Sequence, residues 1–160
     1  MMEALLLDTN VWLDYHMPDR PGHESAFRLI AWAVDNEYPL LIASHSMKDL
    51  YYLFWQIGKA HNRDEGKLSP EAASESARTA AWAITEQVAA HATVVGSAGD
   101  DAWLALKMKN AHFDYEDNLV VAAAMRAQPR FLVTNDRALI AHSPVATVTP
   151  EDALKFLAME

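Results

Sequence analysis

The sequence predicts an α/β fold: a central, mainly parallel sheet of about five strands flanked by helices, with a helical hairpin after strand 2. Three observations predict it. Short continuous apolar runs recur along the chain, as in strands buried on both faces. Segments with apolar residues at helical spacing lie between them. Clear helix starts appear at Ser69-Pro70 and Thr149-Pro150, each a cap residue with proline at the first helical position.

The elements follow in order. Leu5, Leu6 and Leu7 form a buried first strand, and Asp8 follows at once. Ligands in open α/β sheets bind outside the carboxyl ends of the strands. Asp8 is therefore either a site residue or the N-cap of the segment that begins Val11-Trp12-Leu13. Helical spacing resumes near Gly22, with Phe27, Ile30, Ala31 and Val34, and Pro39 ends it. Leu40–Ala43 is the second strand. Ser44-His45-Ser46 opens a long helix with Leu50, Leu53, Phe54 and Ile57 on one face, widened by Tyr51, Tyr52 and Trp55. These aromatics read as core rather than as base-stacking platforms. Residues 59–67 read as a loop. The alanine-rich helix after Ser69 (Ala73, Ala77, Ala80, Ala81, Ile84, Val88) pairs with its predecessor as an antiparallel hairpin. Thr93–Val95 is a short third strand, residues 96–99 break it, and residues 100–111 are helical. Residues 114–126 form a helix whose small apolar body, 119–125, is deeply buried. Pro129 stops that pattern. Phe131, Leu132 and Val133 make the fourth strand, ending in Thr134-Asn135-Asp136. Residues 145–148 make the fifth, and Leu154, Phe156 and Leu157 mark the last helix.

The chain has 160 residues, 51% hydrophobic and 22% charged, with no repeat, low-complexity tract or linker: a single domain over residues 1–160. It has no cysteine, which excludes a disulfide framework, a thiolate metal site and a Cys nucleophile; a cytoplasmic location is expected. No signal peptide is expected, and the longest apolar run, residues 119–125, is too short to cross a bilayer. The net charge of −9 argues against gripping nucleic acid by charge alone. An enzyme acting on nucleic acid remains compatible with it if metal ions bring the positive charge.

Four acids fall at four junctions. Asp8 follows the first strand; Asp49 lies in the first turn of the helix after the second; Asp117 lies in the first turn of the buried helix, with Asp114 one turn earlier; Asp136 follows the fourth strand. In a parallel sheet these positions share one edge. Capping is the ordinary explanation of each. Ser46 with Asp49, and Asp114 with Asp117, fit capping boxes, and Asp136 suits a turn near residues 137–140. Capping does not require all four to follow buried elements on one edge. Converging carboxylates repel unless a cation lies between them, and oxygen ligands without sulfur or clustered imidazole suit Mg²⁺ or Mn²⁺. The seven histidines form no metal motif and read as surface or loop residues. There is no phosphate-binding glycine loop, and Ser44 and Ser46 lack a nucleophile-elbow setting.

The opening Leu5-Leu6-Leu7-Asp8-Thr9-Asn10-Val11-Trp12-Leu13-Asp14 resembles that of the PIN-domain family, which includes the VapC-type toxins of toxin–antitoxin pairs. So does Phe113-Asp114-Tyr115-Glu116-Asp117-Asn118, an acid on a buried alanine-rich helix, and so does Phe131-Leu132-Val133-Thr134-Asn135-Asp136, a strand ending in Thr-x-Asp. The resemblance implies a metal-dependent ribonuclease that uses Mg²⁺ or Mn²⁺ and leaves a 5′-phosphate and a 3′-hydroxyl. It makes Asp8 the first acid with Asn10 as its small polar partner, Asp117 the acid on the buried helix, and Asp136 the late acid with Thr134 as supporting hydroxyl. The family's second acid, usually Glu, falls on Asp49, whose shorter reach a water would bridge. Asp114 adds an outer carboxylate, and Leu139 stands near the family's usual aromatic. RNA as substrate, an antitoxin partner and a homodimer are implied with it.

Two other readings compete. Aspartyl-phosphate phosphatases and receiver domains also place an Asp after the first strand, but need a lysine after a later one; here Thr134, Asn135 and Asp136 follow Val133. The other is a catalytically inactive PIN-like binding module.

Overall fold

A computed structural model describes residues 2–64, 68–110 and 113–159. Strands β1 (Met2–Leu7), β2 (Leu40–Ala43), β3 (Thr93–Val95), β4 (Pro129–Val133) and β5 (Thr147–Val148) form one sheet in the order β3-β2-β1-β4-β5. Every pairing is parallel. The helices are α1 (Thr9–His16), α2 (His23–Asp35), α3 (Ser44–Asp64), α4 (Pro70–His91), α5 (Gly99–Lys107), α6 (Tyr115–Ala127), α7 (Arg137–His142) and α8 (Pro150–Leu157). A single 3₁₀ turn, Met108–Asn110, follows α5.

Strand side chains alternate between the two faces, and both faces are covered. Leu5, Leu7, Leu40, Ile42 and Val133 face one core with Trp12, Leu29, Ile30, Leu50 and Leu157. Ala4, Leu6, Leu41, Ala43 and Leu132 face the other with Val120, Val121, Ala124 and Leu139. This explains why β1, β2 and β4 read as continuous apolar runs rather than alternating ones.

The chain places β2 and β3 on one side of β1 and then crosses to place β4 on the other. The order reverses between β1 and β4, the position where open α/β sheets form a ligand crevice. The carboxyl ends of these two strands carry Asp8 and Thr134-Asn135-Asp136.

The helical hairpin is antiparallel. Tyr51 meets Trp82, Gly58 abuts Ala77, and the Asn62 amide donates to the Ala73 carbonyl at 3.2 Å, so α3 numbers rise as α4 numbers fall. Contact is close: a β-carbon on Gly58 would lie 3.2 Å from the Ala77 β-carbon.

Several expectations change. Residues 59–64 are helix rather than loop, because α3 continues along α4 and Asn62 bonds its backbone. The rest of that expected loop, 65–67, and residue 111 of the helix expected over 100–111 lie outside the described residues. Helix α2 buries Ala26, Leu29, Ile30 and Ala33, while Phe27 and Val34 are exposed; small residues suit the close approach to α1 and α8. It ends at Asp35, before Pro39, with Glu37 at φ 52 making the turn. Pro129 begins β4, and β5 is only Thr147–Val148. Trp12 is core, but Tyr52, Trp82 and Trp103 are exposed.

Candidate functional site

Asp8 is the first residue beyond β1 and the N-cap position of α1. Its own N–H donates to the Val133 carbonyl at 2.9 Å, extending the β1–β4 ladder and bringing the two strand ends together. Its carboxylate Oδ1 accepts from the Thr9 N–H at 2.6 Å. Oδ2 accepts from the Asn10 amide at 2.7 Å and from the Thr134 hydroxyl at 2.7 Å. An N-cap side chain ordinarily takes the N–H of the second or third helical residue. Asp114 and Asp136 do so, accepting from Glu116 and Asp117 and from Ala138 and Leu139 respectively. Asp8 instead reaches across 126 positions to Thr134.

Three aspartates are nearly sealed from solvent: Asp8 and Asp14 at 4% exposure and Asp101 at 5%. Asp14 pairs with Arg20 at 2.5 Å, and Asp101 with Arg126 at 2.9 Å. Asp8 is bonded by neutral donors and makes no ion pair with any described residue. Burial is the main cause that raises its pKa above the usual carboxylate range. Hydrogen bonds from Thr134, Thr9 and Asn10 oppose the rise, and the Asp136 charge adds to it. Desolvation thus outweighs the mutual repulsion expected of converging acids.

Asp136 joins Asp8 at the switch point. It caps α7 through one carboxylate oxygen, Oδ1, and Oδ2 accepts from no described residue. Its N–H donates to the Thr134 hydroxyl at 3.1 Å, so Thr134 links both acids.

Asp49 stands differently from expectation. Helix α3 begins at Ser44, directly on the end of β2, so Asp49 lies in its second turn rather than its first. Ser46 is a buried helical residue and no cap, so no Ser46–Asp49 capping box forms. Asp49 pairs with Lys48 at 3.1 Å and lines an open hollow of about 600 Å³ with Tyr51, Tyr52, Leu53 and Glu116. Asp117 is the third residue of α6, half-buried, beside Glu116. The structure therefore joins Asp8, Asn10, Thr134 and Asp136 in one bonded cluster. It places Asp49 and Glu116, at the start of α6, around a separate hollow. Among the described residues, no three of Asp, Glu and His are gathered as a ready cation-binding group.

Sequence reading missed several groups. The described histidines all lie on helices, not loops; His112 lies outside the described residues. His16 is half-buried, with its ring on the Trp12 carbonyl and the Gln87 side chain. His45, beside Asp49, is half-buried, and its Nε2 is sealed without a hydrogen-bond partner. Burial lowers its pKa, against the pull of Asp49 and Asp101. Asp14 sits in an otherwise apolar run, Val11-Trp12-Leu13, and a charge there was the legible signal. Asn135 carried none.

A PIN domain family model matches residues 4–138. Among solved structures, the chain is similar to the VapBC2 complex of Rickettsia felis, bound to a DNA fragment from its promoter. That match is 12% identical with a TM-score of 0.60, covering 91% of this chain and 96% of that one. It is similar to a Pyrobaculum aerophilum protein at 18% identity and TM-score 0.62, covering 98% and 90%. It is also similar to VapC20 of Mycobacterium tuberculosis, described as a toxin that cleaves the sarcin–ricin loop. There the identity is 19% and the TM-score 0.57, covering 86% and 93%. At these identities the likeness shows the fold. None of the curated proteins matches the chain.

Proposed function

The chain belongs to the PIN domain family, and from that premise we propose that it is a divalent-metal-dependent endoribonuclease with Asp8, Asp136, Asp117 and Asp49 as its working carboxylates. The observation that carries this reading is the environment of Asp8. It is a buried acid at the switch point, and its two buried counterparts each hold an arginine where it holds none. A buried carboxylate without a counter-charge is unfavourable. The donor set around it is oxygen only, which fits Mg²⁺ or Mn²⁺ rather than zinc. Such an ion supplies positive charge to the scissile phosphate and acidifies the attacking water.

The residues of the chain do the rest. Thr134 and Asn10 point two donors at Asp8 Oδ2 and hold the carboxylate in one orientation. Asp136, whose Oδ2 accepts from no described residue, stands near enough for its charge to act on Asp8. Asp49, at the hollow it lines with Glu116, is the proton acceptor in this reading, and Asp117 supplies the acid from α6, with Asp114 fixing that helix start as its cap.

RNA as substrate and an antitoxin partner belong to the same reading, supported by the likeness to VapC20 and to the VapBC2 complex; a homodimer and a cytoplasmic location are proposed with it. No helix among the described residues is long and apolar enough to cross a membrane. That no three-acid group is gathered among the described residues favours, as a second reading, a PIN module that binds without cutting.

The test is cleavage of single-stranded or loop RNA by the purified protein. Cleavage in Mn²⁺ that stops in EDTA, leaves 5′-phosphate ends and falls about 10³-fold in Asp8→Asn, equivalent to about 4 kcal/mol of barrier, is expected. Equal activity in EDTA refutes the mechanism, and no Mn²⁺ binding by calorimetry selects the binding module.

A further inference from the structure

Asp14 and Asn135 have no part in the chemistry proposed above, yet a continuous set of hydrogen bonds connects them to Asp8. We infer that they are positioning residues for Asp8, acting through the Asn10 amide; the catalytic consequence rests on the nuclease reading. The two ends of an asparagine amide differ, since Oδ1 only accepts and Nδ2 only donates. The backbone N–H of Asn135 donates to Asn10 Oδ1 at 3.0 Å. That contact fixes which way the amide lies, so Nδ2 faces Asp8 Oδ2 at 2.7 Å and Thr134 Oγ1 at 2.8 Å. Thr134 Oγ1 then accepts from Asn10 Nδ2 and from the Asp136 N–H at 3.1 Å. A hydroxyl has two acceptor sites and one proton. With both sites taken, its proton goes to Asp8 Oδ2 at 2.7 Å. Both donors on Asp8 Oδ2 thus follow from where the Asn135 backbone sits.

Asn135 is an exposed residue in a turn, and its place is set from below. Its side-chain Nδ2 donates to Asp14 Oδ2 at 2.6 Å. Asp14 is buried, held at Oδ1 by Arg20 Nε at 2.5 Å, and its carbonyl meets the His23 ring at 2.8 Å. Gly22 makes the junction possible. A β-carbon there would lie 2.1 Å from Asp14 Oδ2 and 2.9 Å from Asn135 Nδ2, so the glycine leaves the room that the bond occupies. None of the bonds of Asp14 reaches Asp8 itself; its effect is carried by the turn.

The test uses ¹⁵N-labelled full-length protein and follows the Asn10 side-chain amide. Asn135→Ala removes an exposed side chain and keeps the backbone N–H; Gly22→Ala crowds the same bond from the other side. Exchange of the Asn10 amide protons with water should rise at least about tenfold in both, as a local opening becomes easier. In cleavage, kcat should fall by about ten- to a hundredfold with KM within about twofold, as for a misplaced group acting only in the transition state. Unchanged Asn10 exchange in both variants overturns the inference, even if their melting temperatures fall, because a merely structural contact would move stability alone. The amide signal does not depend on turnover. A protein that cuts no RNA therefore fails the nuclease reading, while Asn10 exchange still decides the positioning role.

Discussion

Asp8 and Asp101 are two nearly sealed carboxylates that follow strands of the same parallel sheet, and the chain treats them oppositely. Asp101, in the first turn of α5, is gripped by Arg126 at both oxygens, at 3.1 and 2.9 Å, and accepts from the Ala98 N–H at 2.9 Å. Arg126 also donates to the Gly96 carbonyl, closing the β3–α5 turn. The arginine holds the Asp101 carboxyl below the usual range. Asp8 receives three neutral donors and, among the described residues, no cation, and burial raises its pKa. The first arrangement is complete and fastens a loop. The second is one positive charge short, at the point where the strand order reverses between β1 and β4. Burial of an aspartate is therefore not by itself a sign of function; the missing counter-charge is the observation on which the proposed site rests.

The strongest way to break this contrast is to supply the cation. At a Mn²⁺ concentration one hundred times the dissociation constant, the wild type should gain about 2.7 kcal/mol, a melting shift of about 5–11 °C. Asp8→Asn and Asp117→Asn should lose most of that gain, and Asp101→Asn should keep it. Thermal melts with EDTA and with Mn²⁺ decide it. An undiminished shift in Asp8→Asn would show that the two aspartates are equivalent and the site is elsewhere.

A smaller effect sharpens the other half. Asp101→Asn, without metal, should cost about 1–3 kcal/mol, since it weakens charge-assisted bonds to Arg126 whose remaining charge is partly solvated. Asp8→Asn should cost less or be stabilising, because it removes an uncompensated buried charge. Urea unfolding of the two variants in EDTA reads the difference directly. A larger loss in Asp8→Asn than in Asp101→Asn would count against the contrast.

The contrast itself was only half legible in the sequence. Local signals were readable: the apolar runs of β1, β2 and β4, the Ser69-Pro70 and Thr149-Pro150 starts, and the acids after Leu7 and Val133. These depend on neighbours in the chain. The position of Asp49 was misplaced because α3 begins without a connecting residue after Ala43, which no propensity marks. The buried face of α2 was right at Ile30 but wrong at Phe27 and Val34, because the stripe that packs runs one residue earlier, through Ala26, Leu29, Ile30 and Ala33. The distant partners of the buried acids could not be read at all. Arg126 lies 25 positions from Asp101, and Asn135 lies 121 from Asp14. Nothing in sequence spacing says which buried acid will receive a cation and which will not.

The smallest effect is the most specific, because it is a difference of sign. The folded-state pKa of Asp8 is raised, so the native state holds that proton more tightly than the unfolded chain. Its stabilising contribution is fully present below the unfolded Asp pKa of about 3.9 and is lost as pH rises through the raised folded value. The folded-state pKa of Asp101 is lowered by Arg126. Its contribution is present above about pH 3.9 and is lost as pH falls through the lowered value. The half-buried His16 and His45, whose pKa values burial lowers, weaken the protein as pH falls below about 6.5. Subtracting each variant from wild type removes most of that shared slope. In metal-free buffer across the acidic range, the stability of wild type minus Asp8→Asn should therefore decline with rising pH, while wild type minus Asp101→Asn should climb. Two slopes of the same sign would mean that Asp8 is held by a counter-charge after all, and that the cluster at the ends of β1 and β4 needs no ion to complete it.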